Sequence, residues 1–415
     1  MTLRLISAIA ALPLAAALLP AQGTVDRTKP PELGPPPRVS LPPIITRQLP
    51  NGLKLMIVEQ HELPLADFVL IVGSGGTADP AGKTGVANLT SQMLREGTTT
   101  RKSLDIADQT SFLGISLFPQ ASWESSNLSL HTPTAQLDSA LALFADVALH
   151  PSFPANEFER IKKNRLTELL QLRDQGPAIA NLAFPAILYG NGHPYGAPLI
   201  GTEASVTGLT TADLQAYYQA NFKPNNATMI IVGDVNPAQI EQKINSLFGG
   251  WQRGDVLPLT YAEPPKAGAT TIYLIDKPGA AQSSFRIGEI GVPRSTRDYF
   301  ALTVMLEIDR IRATKISDEE LSLARDYLDG VFPIRYETTA AIASALATLA
   351  IYELPADYYD TYRANIRAVS VDAVLRAAQT HLHPDRLQTV VVGDAQAIRD
   401  AVANLDLGEL RVHES

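Results

Sequence analysis

Short apolar runs alternate along the chain with stretches whose apolar residues recur every three or four positions, which predicts strands and helices in alternation. Leu53 to Val58 and Asp67 to Val72 have strand composition, and Asn51-Gly52 makes a turn before the first. Thr84 to Arg95 and Ser103 to Leu113 read as helices, Ile115 to Leu130 as a pair of strands, and Thr134 to Leu149 as a helix. A long amphipathic helix runs from Asn156 to about Arg173, with Phe158, Ile161, Arg165, Leu166 and Leu169 at helical spacing. Ala227 to Val232 is an apolar strand stopped by Gly233-Asp234.

This order of elements recurs. Leu209-Thr210-Thr211-Ala212, Phe222-Lys223-Pro224 and Ile230-Ile231-Val232-Gly233-Asp234 are mirrored by Val369-Ser370-Val371-Asp372, Leu382-His383-Pro384 and Val390-Val391-Val392-Gly393-Asp394, at a constant offset of 160. Upstream, Asp318-Glu319-Glu320-Leu321 answers Ala155-Asn156-Glu157-Phe158 at an offset of 163. The chain therefore reads as α+β, two copies of one unit of about 160–200 residues, expected over 45–250 and 265–405. Each unit is expected to hold an antiparallel sheet with helices on one face, the other face lining a chamber.

The copies are unequal. Val72 and Phe158 lie 86 positions apart, whereas their counterparts near Ile290 and at Leu321 lie only 31 apart. About 55 residues, enough for two helices and a strand pair, are missing from the second copy around Val304 to Glu307. The Ala/Leu-rich run from Ala343 to Leu354 is expected to lose its neighbours there and to expose apolar helix surface.

The first 23 residues read as a signal peptide. Arg4 supplies a positive start, Leu5 to Leu19 an apolar run, and Ala21-Gln22-Gly23 a small-residue cleavage site. The run is too short for the ~20 residues of a spanning helix, and no later stretch has that length. The mature chain is expected to be exported and soluble, periplasmic or extracellular. A proline-rich linker follows over 24–44, with Pro30, Pro31, Pro35, Pro36, Pro37, Pro42 and Pro43 favouring extended polyproline II. With 34 Lys+Arg against 43 Asp+Glu, a net charge of −9, the chain lacks the basic balance that nucleic-acid phosphates require. The absence of cysteine excludes disulfides, Cys-ligated metals and thiol catalysis.

The chemistry is concentrated in one stretch. Val72-Gly73-Ser74-Gly75-Gly76 leads through Asp79-Pro80-Ala81-Gly82 into Gly85-Val86-Ala87-Asn88-Leu89-Thr90-Ser91-Gln92-Met93 and then Gly97-Thr98. This resembles the insulinase/pitrilysin family of zinc peptidases, M16, where a Gly-Ser strand end leads into a helix carrying His-x-x-Glu-His. Leu49-Pro50-Asn51-Gly52-Leu53, His193-Pro194-Tyr195-Gly196 and the two Val-Gly-Asp strand ends fit as well, so the resemblance covers about residues 45 to 400. It implies two homologous units of the type found in mitochondrial processing peptidase, as the repeat does independently.

Two histidines at i and i+4 share one helix face and can hold a zinc ion, while a glutamate at i+3 polarises the bound water. Here those positions hold Asn88, Ser91 and Gln92. An amide binds zinc poorly, and a serine is no carboxylate base. The family's third ligand is a glutamate some 76 residues on, and Glu168 matches that spacing, but one carboxylate makes no zinc site. Of the seven histidines only His381 and His383 are close in sequence, and at i, i+2 they point to different helix faces. Active members also place an Arg and a Tyr seven apart in the second unit to bind substrate carbonyl and oxyanion. No arginine in this chain precedes a tyrosine by seven, and the adjacent Arg335-Tyr336 read as structural.

The family includes two-chain members in which one chain carries the zinc motif and the other lacks it, and this sequence resembles the metal-free chain. The resemblance implies no catalytic or metal-binding residue here and zinc only in a partner carrying His-x-x-Glu-His. It also implies a peptide substrate enclosed between the chains; from the length of its apolar runs, the mature protein is expected to have no membrane span. Two alternatives stay open: a stand-alone peptide-binding or scaffold module, and an active zinc endopeptidase with unusual ligands.

Overall fold

The computed structural model describes residues 42–414 except 191, 262, 267 and 306–311. The expected signal peptide, the proline-rich linker as far as residue 41 and part of the seam at Glu307 lie outside the described residues. The first repeat forms a six-stranded sheet in the order β1-β2-β6-β3-β5-β4. Its strands are β1 (Ile45–Gln48), β2 (Lys54–Glu59), β3 (Leu65–Val72), β4 (Ser116–Ala121), β5 (Ser126–Pro133) and β6 (Ala227–Gly233). The second repeat forms a four-stranded sheet in the order β10-β7-β9-β8. These are β7 (Thr271–Asp276), β8 (Ser284–Gly288), β9 (Gln388–Gly393) and β10 (Glu409–Glu414).

The architecture is α+β with two related units, but the sheets are mixed rather than antiparallel. β2 runs parallel to β6, and β9 and β10 both run parallel to β7. The reason is connectivity: β3 to β5 and the intervening helices all lie between β2 and β6, and such a crossover returns the chain in the same direction.

One face of the first sheet is covered by its own repeat's helices: α1 (Val86–Met93), α3 (Leu137–Leu149), α7 (Thr211–Asn221) and α8 (Pro237–Phe248). Leu55, Ile57, Phe68, Leu70 and Ile231 of the sheet share a buried cluster with Leu89, Phe144, Leu214 and Phe248 of those helices. Beside them stand α2 (Ser103–Leu113), α4 (Ala155–Leu172), α5 (Gly176–Tyr189) and the short α6 (Glu203–Gly208).

The opposite face does not line a chamber. Val58, Ile71, Ile230 and Val232 are buried there against the second repeat, in a cluster with Ile342, Ala343, Leu346 and Leu349 of a helix over Thr339–Ile351. In chain order the second repeat's helices are α9 (Tyr299–Val304), α10 (Asp318–Arg335), α11 (that Thr339–Ile351 helix), α12 (Tyr358–Ala368), α13 (Val371–His381) and α14 (Ala395–Ala403). The run from Ala343 to Leu354, expected to be exposed, thus holds the centre of an interface. The correction has a physical cause. β2, β3 and β6 carry apolar residues on both faces, the signature of a sheet covered twice, and α11 is apolar nearly all round, the signature of a buried helix.

The packing is reciprocal. α5 begins at Gly176 and α11 at Thr339, the same offset of 163 that relates α4 to α10. α5 lies on the second sheet, where Ala180, with Ile179, Ala183, Phe184 and Ile187 around it, meets Ile275, Val390 and Val392. Each repeat therefore lends one helix to the other's sheet. The remaining face of the second sheet is covered by α14, through Ala395 and Val402 against Ile272, Leu274 and Val391.

Leu346 is fully buried at this interface. Leu346→Ala should lower stability by about 2–4 kcal/mol, as core truncations do. An exposed α11 would give a change within about 0.5 kcal/mol; urea unfolding of the two proteins decides.

Candidate functional site

β3 ends at Val72, and the chain turns sharply to enter α1. A Cβ on Gly75 would meet the Ser122 carbonyl oxygen at 2.3 Å, and Gly85 has a φ of +94°, so both positions require glycine. Between them Asp79 turns back onto the helix start. Its Oδ2 accepts from the Gly85 amide at 2.6 Å and its Oδ1 from the Ala87 amide at 2.9 Å. Two amides without intrahelical partners are satisfied, and a carboxylate faces the positive end of α1. Burial nevertheless pushes the Asp79 carboxyl from its ordinary 3.8 up to about 7, against the pull of those two amides.

Beyond α1, the carboxylate of Asp146 on α3 fixes the chain. It accepts from Thr98 Oγ1 at 2.6 Å, Thr100 Oγ1 at 3.1 Å and Arg101 Nη1 at 2.7 Å. Burial raises its pKa, but these donors outweigh that effect and hold it below the usual carboxylate value. The turn and this anchor set the direction of α1, and with it Asn88, Ser91 and Gln92.

The structure brings Asn88 and Glu168 to one point and places a third residue between them. Arg165, on the buried side of α4 and only 4% exposed, donates from Nη2 to Asn88 Oδ1 at 2.8 Å and from Nε to Glu168 Oε2 at 2.9 Å. Its Nη1 donates to the Ile200 carbonyl at 2.8 Å. A tethered cation thus stands against both the first and the third ligand positions of the motif. Burial lowers the guanidinium's pKa, and the Glu168 charge and hydrogen bond offset that only in part. Ser91 is buried, and its Oγ finds no hydrogen-bond partner among the described residues. Gln92 borders a shallow cavity with Arg95, Glu96 and Phe118. One carboxylate, one amide already holding a guanidinium, a serine and a glutamine do not fit zinc. Among the described residues no three His, Asp or Glu side chains gather where a metal ion could be held.

Arg165 escaped the sequence reading as a functional residue because it counted there only as one more position on the apolar face of α4. The available signal was a charge at a core position, three residues before Glu168. Three of the histidines tie neighbouring segments together. His193 Nδ1 accepts from the Tyr195 amide at 3.1 Å, closing a short turn, and Tyr195 donates its hydroxyl to Glu124 at 2.6 Å. His381 meets Asp298 at 2.6 Å and His383 meets Glu289 at 3.0 Å, fastening the end of α13 to the segments around β8 and α9.

Two cavities open at the seam between the repeats and occupy equivalent places. One, of about 380 Å³, is bordered by Lys54, Thr228 and Ile351; the other, of about 670 Å³, by Thr271, Gln388 and Leu188. Among the described residues no helix is long and apolar enough to cross a membrane.

Two family profiles match the chain, one described as insulinase (peptidase family M16) over residues 55–203 and one as peptidase M16 inactive domain over residues 208–308. The chain belongs to the M16 family. It is 27% identical over 203 residues to an uncharacterized zinc protease of Mycobacterium leprae, covering 48% of this chain and 45% of that one. Over 221 residues it is 25% identical to the non-peptidase homolog YmxG of Helicobacter pylori, covering 53% of this chain and 51% of that one. The chain spans about half the length of the curated relatives it matches. A solved structure of a peptidase M16 inactive domain from Pseudomonas fluorescens matches with a TM-score of 0.78 at 24% identity, over 85% of this chain and 98% of that one. That likeness is one of fold.

Two outcomes are expected of this M16 chain. Arg165→Met removes three hydrogen bonds and leaves the Asn88 amide oxygen and the Ile200 carbonyl without their donor; it should lower stability by about 2–3 kcal/mol. Glu168→Gln changes a half-exposed side chain and should stay below about 1 kcal/mol in the same urea titration.

The second concerns pH. A carboxyl whose pKa is raised on folding holds its proton longer in the folded chain. Its stabilising share is complete below pH 3.8 and is lost as pH rises through about 7. Asp79→Asn cannot titrate, so the wild type should lose about 2–3 kcal/mol relative to it between about pH 5 and 8. Parallel melting curves across that range would show no change in the difference if Asp79 titrates normally.

Proposed function

We propose that this chain is a non-catalytic subunit of an exported M16 peptidase, holding a peptide between itself and a zinc-bearing partner that carries His-x-x-Glu-His. The observation that carries the reading is Arg165. Its guanidinium stands against Asn88 and Glu168, where catalysis would require a dissociable metal ion, and it turns the former ligand positions into a fixed ion-paired cluster. The Asn88, Ser91 and Gln92 triplet supplies neither imidazoles nor a base. Export is proposed from the signal-like start of the chain, and a periplasmic or extracellular location follows from it. Peptide contact is proposed at the seam between the repeats, because the back of the first sheet is covered by α11. The two seam cavities equally favour a second reading, a peptide-binding module that works without a partner.

The reading makes a sharp statement about repair. Asn88→His, Ser91→Glu and Gln92→His together should leave the protein without stoichiometric zinc, because Arg165 still occupies the approach to Glu168. Adding Arg165→Ala to the triple variant should bring zinc to about one per chain by elemental analysis. Zinc bound stoichiometrically by the wild type, or by the triple variant with Arg165 intact, would remove the basis of the proposal. Co-expression with His-x-x-Glu-His chains of the same cell, followed by sedimentation, separates the subunit from the lone module.

A further inference from the structure

The register of the two sheets allows the repeats to be compared residue by residue. Phe285 and Ile287 of β8 lie opposite Val391 and Thr389, and Phe68 and Leu70 of β3 lie opposite Ile231 and Met229. The offset of 160 relates both sets of partners, so Phe285 stands where Phe68 stands, Ile287 where Leu70 stands, and Arg286 where Val69 stands. Their surroundings differ sharply. Phe68 and Leu70 are at most 1% exposed, whereas Phe285 is 50% and Ile287 60% exposed.

The cause is the missing segment. β3 has β6 on one side and β5 on the other, and β5 sets Leu130 opposite Phe68 and Leu128 opposite Leu70. β8 has β9 on one side and ends the sheet on the other. The counterparts of β4 and β5, and of the helices above them, are what the shorter second repeat lacks. What remains is a strand edge with unpaired backbone groups and an apolar pair on one face.

The other face of β8 says what would fit. Arg286 donates from Nε to Asn181 Oδ1 at 2.7 Å and from Nη1 to its neighbour's carbonyl, and it has no acidic partner among the described residues. In the two-fold pairing of β8 with a second copy that matches Phe285 with Ile287, Arg286 would lie opposite Arg286, which disfavours that pairing. We propose that the edge of β8 accepts an antiparallel strand from a different polypeptide, with apolar side chains opposite Phe285 and Ile287 and an acidic one opposite Arg286. Main-chain hydrogen bonds supply the affinity and the alternating side chains the selectivity. The inference rests on the repeat and stands apart from the subunit reading, since it involves neither Asn88, Glu168 nor a zinc-bearing chain.

The probe is a labelled peptide built on the strand that fills the equivalent place in the first repeat: Ser126 to Thr132 with Ser129 replaced by glutamate. Fluorescence anisotropy with the full chain should show saturable binding. A Phe285→Ser/Ile287→Ser double variant should weaken it by about tenfold or more, and these exposed substitutions should leave the melting temperature unchanged. An Arg286→Glu variant should prefer a peptide with lysine at the same position. Absence of saturable binding, equal affinity in the double variant, or a wild-type dimer that the double variant abolishes would each overturn the proposal, the last by assigning the edge to a second copy.

Discussion

The first sheet is apolar on both faces, and the helices of its own repeat cover only one. Val58, Ile71, Ile230 and Val232 would face water if the second repeat were absent, and α11 is what covers them. At roughly 1.5–3 kcal/mol for each large side chain removed from water, this layer is comparable to the net stability of a domain. α5 does the same for the second sheet, so neither repeat closes its core alone. The exchange also bears on the motif. α5 follows α4 after three residues, and α4 carries Arg165 and Glu168, so the packing at the seam helps set where those side chains meet α1.

A guanidinium and a zinc ion solve the same electrostatic problem differently. Either can neutralise a carboxylate brought close to α1. A metal ion does so with a free coordination position and a bound water, which is the source of its chemistry. Arg165 does so with directed N–H groups, each of its three nitrogens donating to one of Asn88, Glu168 and the Ile200 carbonyl. It cannot act as a Lewis acid, and as a charged donor it cannot accept a proton from water. The packing of α4 on α1 is thereby held together by hydrogen bonds that offer no open coordination position.

Much of this was legible in the sequence where the signal is local. Ser103–Leu113 reads as a helix and is one, because periodicity and its flanking turns depend only on near neighbours. The offset of 160 related β6 to β9 and α7 to α13 before any coordinates, because a repeat carries its fold in duplicate. The pairing of Asn88 with Glu168 was legible as a spacing. Their separation by Arg165 was not, because it depends on the rotation of α4 relative to α1. The destination of α11 was hidden for a similar reason. An apolar helix announces that it needs cover but not which surface supplies it, and the cover came from the other repeat. Parallel pairing escaped because the composition of a short apolar strand is the same in either direction.

The residues around the motif divide into two groups by what they do. Gly75, Gly85 and Asp79 build the turn and satisfy the start of α1; their roles are set by a 2.3 Å steric limit, a left-handed backbone and two amide hydrogen bonds. Asn88, Ser91 and Gln92 occupy the positions where the family's active members carry their chemistry, and the turn does not depend on them. In this chain the first group is intact and the second is replaced. Random decay would damage both, since a side chain at Gly85 or the loss of Asp79 would disturb α1 and the sheet beneath it. A chain that keeps the scaffold of a catalytic helix, and stabilises its former ligand positions with a buried arginine, is built to hold that helix in place. The Asp79 contacts fix the start of α1 and the Arg165 cluster fixes it against α4, and that rigidity, in place of an exchangeable site, is the physical basis of the proposed non-catalytic role.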